Sequence, residues 1–398
     1  MMADEDAPPL HGLRVLELSM ARAGPVAARQ LADWGADVIK VEPPAAVEDP
    51  SLAAQSWRET SDIQNLTRNR RCITLNLKHP DGIAALRRLA GQADILIENY
   101  RPDVKTRLGF DYETLAALNP RLIYASISGF GQDGPYAGRP GVDQILQGMG
   151  GLMSINGFPD GPPTRLGIAI NDFVSGLLVA FGVMAAVYER QRSGKGQWIR
   201  GSLLQTQAFL LDFQAARWLQ DGEVAGRAGN NHPLLRPSGL YAAADAPINI
   251  AMAGPNMWPR VCSALGLDRL VDDPDFASIE ARMANNDQLT AEIEAVTRTR
   301  EAAHWVEKLN AAGVPCGPVN TIDRVFEDPQ AKHLSLVQHV ESETLGTQRH
   351  VRQPLDFSRT PPRKSAGAPD RGRNTDEVLA DFGFGADEVA ALRAAGAI

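Results

Sequence analysis

The chain has few cysteines, and neither they nor its histidines predict a disulfide framework or a metal site. The three thiols, Cys72, Cys262 and Cys316, are an odd number without a CxxC spacing, which is typical of reduced cytosolic proteins. The seven histidines show no HxH or HExxH spacing. We therefore expect no bound metal.

Long hydrophobic runs and excess positive charge are also missing. The longest uncharged apolar segment, Phe173–Tyr188, is short for a membrane span and contains Gly176 and Gly182, so it predicts a buried helix. The net charge of −8 argues against nucleic-acid or membrane partners. The acidic segment Met1–Asp6 has no apolar core, so we expect no signal peptide and a cytoplasmic location.

Familiar catalytic and nucleotide-binding motifs are absent or present only in part. Ser193–Gly196 lacks the leading glycine and the Ser or Thr of a phosphate loop. Gly129–Gly134 matches GxGxxG, but Pro135, Gly138 and Pro140 follow it, and they do not favour the helix that a dinucleotide site needs. The segment predicts a glycine-rich loop. No GxSxG nucleophile elbow exists.

The first half of the chain alternates apolar runs with helical patterns. Strands separated by helices predict βαβ units and a mostly parallel, buried sheet. The fold class is therefore α/β, and the length of 398 residues predicts two domains. The predicted strands are Arg14–Leu18, Asp37–Val41, Cys72–Leu77, Asp94–Glu98 and Leu122–Ile127.

The second half is mainly helical. Helices are predicted at Val174–Arg190 and Leu203–Gln220, and the Gly-, Pro- and Asn-rich stretch near Asn230 indicates a domain boundary. A smaller unit with a strand at Ile248–Ala253 follows. Its amphipathic helices are predicted at Trp258–Leu265, Asp287–Thr297 and Arg300–Ala311.

Asp172 precedes the longest apolar helix, and two interpretations fit that position. Aspartate is a preferred N-cap, and its charge suits the helix dipole. The same position keeps a carboxylate ionised, and an anionic oxygen can attack a thioester carbonyl. The local sequence does not choose between a cap and a nucleophile.

Basic residues recur near the ends of two predicted strands. Because ligands gather at the carboxyl ends of parallel strands, this set predicts a site for a polyanion such as nucleotide phosphates. Solvated surface charges are the alternative. The residues are Arg68, Arg70, Arg71, Lys78, Arg101, Lys105 and Arg107.

An ordered series of landmarks covers nearly the whole chain. It comprises Leu13–Leu18, Ala23–Pro25, Leu31–Glu42, Asn69–Lys78, Glu98–Tyr100, Asn119–Tyr124, Gly129–Gly131, Gly167, Asp172, Gly176, Gly194–Gln197 and Gly313–Val319. This series resembles the class III coenzyme A transferases, the relatives of formyl-CoA, carnitine-CoA and succinyl-CoA transferases. The resemblance implies an enzyme that uses CoA as a substrate and needs no further cofactor.

The resemblance also implies roles for single residues. Asp172 is expected to be the nucleophile. Arg22 stands where the formyl enzyme has a glutamine near the acyl group, and an arginine there could pair with the far carboxylate of a dicarboxylic acid. Gly254 belongs to the loop expected to cover the acyl site, although the glycine run of the formyl enzyme is missing. The residues expected to contact CoA are Leu75, Lys78, Asn99, Arg107 and, as a phosphate partner, Arg139.

The implied architecture is an interlocked, ring-like homodimer. A large Rossmann-like domain would comprise residues 1–200, completed by 326–398. Residues 201–225 would form a linker helix, and residues 226–325 a smaller α/β domain.

The implied reaction moves CoA from an acyl-CoA to a carboxylic acid through an aspartyl-CoA thioester. One alternative is the racemase branch of the family, which carries a histidine before the aspartate matched here by Asp143. Val142 occupies that position, which favours transfer. A CoA-binding protein without chemistry is the other alternative, and Asp172 beside a full CoA-binding set argues against it.

Overall fold

The apolar runs of the first half form a sheet, as their alternation with helices predicts. The computed structural model describes residues 7–48, 58–252, 254–342 and 344–398. Met1–Asp6, and Ala253 at the end of a predicted strand, lie outside the described residues. The sheet strands are β1 (Arg14–Leu18), β2 (Asp37–Glu42), β3 (Arg71–Thr74), β4 (Ile95–Glu98), β5 (Ile123–Ser128) and β6 (Trp198–Ser202).

The six strands run parallel in the order β3-β2-β1-β4-β5-β6. This is the order of a Rossmann-type sheet, so the predicted α/β class is confirmed. The strand order reverses between β1 and β4, and such a switch point opens a crevice at the carboxyl ends of the two strands. Strand β6 was not predicted, because Arg200 and Gly201 interrupt its apolar pattern.

Helices cover both faces of the sheet, because successive strand residues point to opposite sides. Val15 and Ile97 belong to one apolar core, whereas Leu16 and Leu96 belong to the other. The helices up to residue 216 are α1 (Ala23–Asp33), α2 (Ser61–Thr67), α3 (Pro80–Ala90), α4 (Pro102–Leu108), α5 (Tyr112–Leu118), α6 (Asp143–Met149), α7 (Leu152–Ile155), α8 (Ile170–Ser193), α9 (Leu203–Leu210) and α10 (Asp212–Ala216).

The chain divides into two compact units. The first comprises Met1–Leu152, Leu166–Ala216 and Leu334–Ile398, and the second comprises Met153–Arg165 and Arg217–His333. These boundaries differ from the predicted ones. The predicted linker helix of residues 201–225 is split between the units. The predicted helix Leu203–Gln220 was wrong as a single element, since α9 ends at Leu210 and Asp212 has a left-handed φ of 46°.

The second unit contains a small antiparallel sheet with the order β7-β8-β9. Its core includes Ile248, Ile250, Val261 and Leu309. The elements of this unit are β7 (Gly239–Ala242), β8 (Pro247–Ile250), α11 (Trp258–Leu265), α12 (Ile279–Ala284), α13 (Asn286–Thr297), α14 (Ala302–Ala311), β9 (Cys316–Pro318), α15 (Ile322–Glu327) and α16 (Pro329–His333).

The last segment returns to the first unit. It begins with an antiparallel hairpin that the sequence analysis did not predict, and Val378 and Leu379 of its first helix join the core beneath the sheet. The elements are β10 (Val337–Ser342), β11 (Gly346–Val351), α17 (Thr375–Asp381) and α18 (Ala386–Ala394).

Helix α8 packs closely against α1, and Gly176 permits the approach. A Cβ atom at Gly176 would lie only 2.6 Å from the carbonyl oxygen of Ala23 and from Cβ of Val26. Real Cβ atoms do not come this close to other heavy atoms, so a larger residue would push the helices apart. The contact brings the first turn of α8, which carries Asp172, next to the start of α1.

The other face of α8 is exposed, so the predicted buried helix is buried on one face only. The side chains of Phe181 and Tyr188 are 74% and 78% exposed. Among the described residues, α8 alone is long and apolar enough to cross a bilayer by length and composition. Core helices satisfy the same criteria, and Val179, Val183 and Val187 are buried in the core.

Gly176→Ala should destabilise the protein, whereas Gly182→Ala should not. The first methyl group would collide with α1, and overpacking of this kind costs about 1–3 kcal/mol. The second would meet only Cγ2 of Ile199 at 3.5 Å, an ordinary contact, and alanine in a helix interior is favoured by about 0.5–1 kcal/mol over glycine. Urea unfolding of both variants measures the difference. Equal stabilities would contradict the packing argument.

Candidate active site

Asp172 lies in the first turn of α8 but does not cap it. The N-cap residue is Ala169, and no side chain of the cap accepts a helix N–H. The carboxylate of Asp143, from the first turn of α6, fills part of that role, because its Oδ1 accepts the backbone N–H of Asn171 at 2.9 Å. Its Oδ2 accepts from Nε2 of Gln147 at 2.7 Å. The capping interpretation of Asp172 is therefore wrong.

Three effects set the pKa of Asp172, which lies at about 6 rather than the ordinary 3.8. Burial contributes most, because a half-buried carboxylate loses hydration. The nearby negative charge of Asp143 raises the pKa further, while the positive charge of Arg22 lowers it. At neutral pH the group is therefore an ionised but poorly hydrated carboxylate, the state of a reactive oxygen nucleophile.

Arg22 occupies the N-cap position of α1, on the side where α8 packs. Its Nη2 atom donates to Oδ2 of Asp62, in the first turn of α2, at 2.6 Å. Both side chains are partly exposed. Arg22 thus already holds one carboxylate and contributes to the electrostatic environment of a second, that of Asp172.

A cavity of about 360 Å³ lies at the carboxyl ends of β1 to β4, beside the switch point of the sheet. Leu75 forms part of its buried wall, and the exposed side chains of Lys78 and Arg107 line it. Within the described ranges, neither of these cations is in an ion pair. The other lining residues are Met20, Val41, Glu42, Pro43, Val47, Asn76, Leu77, Tyr100, Val104 and Leu108.

Asn99 connects the loops that follow β1 and β4. Its Oδ1 accepts the backbone N–H of Met20 at 2.9 Å, and its Nδ2 donates to the carbonyl oxygen of Met20 at 2.7 Å. Ala21, which follows Met20 in the chain, has a left-handed φ of 61°. A residue with a Cβ seldom adopts this conformation. Asn99 therefore fixes the strained segment that leads to Arg22. Its contact with CoA stays a prediction.

Two predicted site residues, Arg139 and Gly254, do not line this cavity. Arg139 is exposed, and its guanidinium lies over the rings of Phe130 and Tyr136, 5.6 and 5.0 Å from their centroids. It does not line the cavity described above. Gly254 belongs to the second unit and has a φ of 127°, a conformation that favours glycine. Their predicted roles stay predictions.

The predicted phosphate-binding role of Arg68, Arg70 and Lys105 was wrong. All three side chains are buried in ion pairs, in which N and O atoms are separated by 2.6–2.7 Å. Their partners are Asp33, Glu17 and Glu98, respectively. Buried cations need such partners, so these residues stabilise the fold.

Sequence reasoning missed the contributions of Asp143 and Asp62. Asp143 was considered only as the residue after Val142, and the helix that it opens was not predicted. Asp62 had no signal, since it lies 40 positions from Arg22 along the chain. No group of three or more His, Cys, Asp or Glu side chains could hold a metal ion in the part of the chain that the structure describes.

The first unit thus combines a parallel Rossmann-type sheet, a poorly hydrated carboxylate and a cavity at the switch point, the place where such sheets bind their ligands. The model of CoA-transferase family III matches residues 10–375. The chain is 38% identical over 383 residues to the succinate–glutarate CoA-transferase of Agrobacterium fabrum, and the match covers 94% of this chain and 96% of that protein.

Two further proteins resemble this chain over most of its length. Identity to the acetyl-CoA:oxalate CoA-transferase of Acetobacter aceti is 39% over 328 residues, covering 81% of this chain and 83% of that one. The solved structure of a CAIB/BAIF family protein from Brucella suis superposes with a TM-score of 0.81 at 34% identity, covering 94% of this chain and all of the other. The chain belongs to CoA-transferase family III, and the predicted activity class, CoA transfer, is confirmed.

Asp172→Asn should stabilise the protein at neutral pH. Because folding raises the pKa of Asp172 to about 6, its ionised form opposes folding by up to about 3 kcal/mol. The effect is complete above about pH 6, shrinks as the pH falls towards about pH 4, and is lost below it, where the carboxyl is protonated in both folded and unfolded states. Urea unfolding across this pH range measures the gain.

Asp81→Asn is the matched control, because Asp81 also lies in the first turn of a helix but is exposed. It should give no gain, since an exposed carboxylate at a helix N-terminus is favourable. A gain for Asp172→Asn that persists unchanged at low pH would contradict the assignment.

Proposed function

We propose that this transferase moves CoA from an acyl-CoA to a dicarboxylic acid and that Asp172 carries the CoA between them. This proposal depends on one observation, the poorly hydrated carboxylate of Asp172. Burial raises the pKa of this group, and the positive charge of Arg22 lies close enough to lower it. The names of the relatives from Agrobacterium fabrum and Acetobacter aceti specify succinate, glutarate and oxalate, which are dicarboxylates.

The relay begins when an oxygen of Asp172 attacks the acyl carbonyl of the donor. A mixed anhydride forms, and CoA leaves as a thiolate. The thiolate then attacks the carbonyl of Asp172, which gives an aspartyl-CoA thioester and releases the first acid with one oxygen from the aspartate. The acceptor carboxylate reverses these steps and restores an oxygen to Asp172. No net proton transfer is needed, so the site requires a nucleophile rather than an acid–base pair.

Charges around Asp172 suit this chemistry. Burial and Asp143 raise the energy of the ionised carboxylate, which favours attack, while the positive charge of Arg22 offsets a smaller part of this effect. Both intermediates, the mixed anhydride and the thioester, are activated acyl derivatives of the aspartate, and water must be excluded from them. A loop that closes over the site would serve this purpose.

The cavity beside β1 to β4 suits the nucleotide end of CoA. Its wall is largely apolar, with Leu75, Leu77 and Tyr100, and can receive the adenine ring. Lys78 and Arg107 line the same cavity and can neutralise phosphates. No further cofactor is required by this scheme, and a cytoplasmic location stays a prediction.

Racemase chemistry is not favoured by the site. An α-proton transfer needs a second titratable group opposite the aspartate. Val142, at the position of the histidine in the racemase branch, is the N-cap residue of α6 and is 61% exposed. Its side chain cannot accept a proton.

The proposal includes the interlocked homodimer that the family resemblance implies. An exposed apolar surface on the first unit supports the dimer. The side chains of Phe181 and Tyr188 in α8 and of Phe209 in α9 are each at least 70% exposed. Apolar areas of this kind mark interaction surfaces. Interlocked rings cannot separate without unfolding, so sedimentation at decreasing concentration should never yield a folded monomer. A folded monomer would contradict this architecture.

Arg22→Gln should impair transfer to dicarboxylic acids selectively. If Arg22 binds the distal carboxylate, its loss removes a charged hydrogen bond of about 1.5–3 kcal/mol, which lowers kcat/KM for glutarate about tenfold to a hundredfold. Pentanoate has the same chain length but no second carboxylate and should be nearly unaffected. Steady-state assays with saturating succinyl-CoA measure both acceptors.

Arg88→Gln is the control, because Arg88 forms a similarly exposed ion pair on the far side of the sheet's core, with Glu388. It should leave both acceptors unchanged. An equal loss for glutarate and pentanoate in Arg22→Gln would mean that Arg22 serves CoA or the fold, and the dicarboxylate assignment would be dropped.

A further inference from the structure

The guanidinium of Arg22 holds the carboxylate of Asp62 in this structure. Nη2 of Arg22 and Oδ2 of Asp62 are 2.6 Å apart, and the two side chains are 35% and 50% exposed. Within the described part of the chain, this is the one hydrogen bond made by the Arg22 side chain. A guanidinium has five N–H donors, so Arg22 can accept a second carboxylate or exchange the first.

The main chain around Arg22 is fixed, whereas its side chain can move. Asn99 binds both backbone polar groups of Met20, and Ala21 has its left-handed φ. The carbonyl oxygen of Arg22 accepts the N–H of Val26 at 2.9 Å, in the first turn of α1. An exchange of partners by Arg22 therefore requires only side-chain rotation, which is fast.

The pair of Arg22 and Asp62 can be broken at little cost in free energy. An exposed pair such as Arg22–Asp62 is weak, because water solvates both partners. A carboxylate that arrives with the substrate can therefore replace Asp62.

We propose that Asp62 determines acceptor specificity by holding Arg22 until the distal carboxylate of a dicarboxylic acid replaces it. This inference rests on the proposed function, which assigns Arg22 to that distal carboxylate. A monocarboxylic acid brings no second carboxylate, so Asp62 stays paired when such an acid binds. Asp62 therefore competes with dicarboxylic acids alone.

The variant Asp62→Asn preserves the side-chain size and removes the competing charge. The KM for glutarate should fall about two- to fivefold, the range expected for an exposed ion pair, with kcat nearly unchanged. The KM for pentanoate should not change. In an Arg22→Gln background, Asp62→Asn should have no effect on either acid, because the competition needs Arg22.

Glu388→Gln is the matched control, because its pair with Arg88 has nearly the same exposure, 38% and 47%. It should leave both KM values unchanged. The Asp62 proposal is overturned if Asp62→Asn leaves the KM for glutarate unchanged, lowers both KM values equally, or acts equally in the Arg22→Gln background.

Failure of this inference can be told from failure of the proposed function. If Arg22→Gln impairs glutarate and pentanoate equally, the dicarboxylate assignment itself is wrong. If Arg22→Gln is selective for glutarate while Asp62→Asn changes nothing, only the role of Asp62 is wrong.

Discussion

The close packing of α8 on α1 brings the first turns of two helices side by side, and the candidate site depends on that contact. Gly176 permits it, since a Cβ there would collide with Ala23 and Val26. The result is a carboxylate, that of Asp172, which is dehydrated by the surrounding protein yet ionised at neutral pH. In the proposed function, activity and stability oppose each other at this residue, because the burial that would make the oxygen reactive also makes the ionised form costly to fold.

The candidate site also depends on the order of the strands in the sheet. Strand order reverses between β1 and β4, and the loops after these strands meet there through the amide of Asn99 and the backbone of Met20. One loop leads to Arg22, and the cavity with Lys78 lies on the neighbouring strands. The proposed nucleotide-binding and acyl-binding regions therefore share one edge of the sheet, as CoA transfer requires.

The sequence predicted the fold better than the partners of its charged residues. Strand β1 has the predicted bounds, because the apolar residues Val15, Leu16 and Leu18 mark it in the sequence. Strand β6 and the hairpin β10–β11 were missed, because their burial patterns are mixed. Arg68 and Arg70 were predicted to bind phosphates, since a sequence reveals charges but not the distant carboxylates that neutralise them. Asp172 could be singled out as a helix-terminal aspartate, but its choice as nucleophile needed the family resemblance.

The most direct test of the account follows an oxygen atom. In the proposed relay, the acceptor carboxylate restores an oxygen to Asp172, so turnover with an ¹⁸O-labelled glutarate carboxylate should transfer the isotope to the enzyme. Mass spectrometry of the proteolysed protein should then find ¹⁸O in the side chain of Asp172 and in no other residue. Efficient transfer of CoA without label at Asp172 would contradict the central claim.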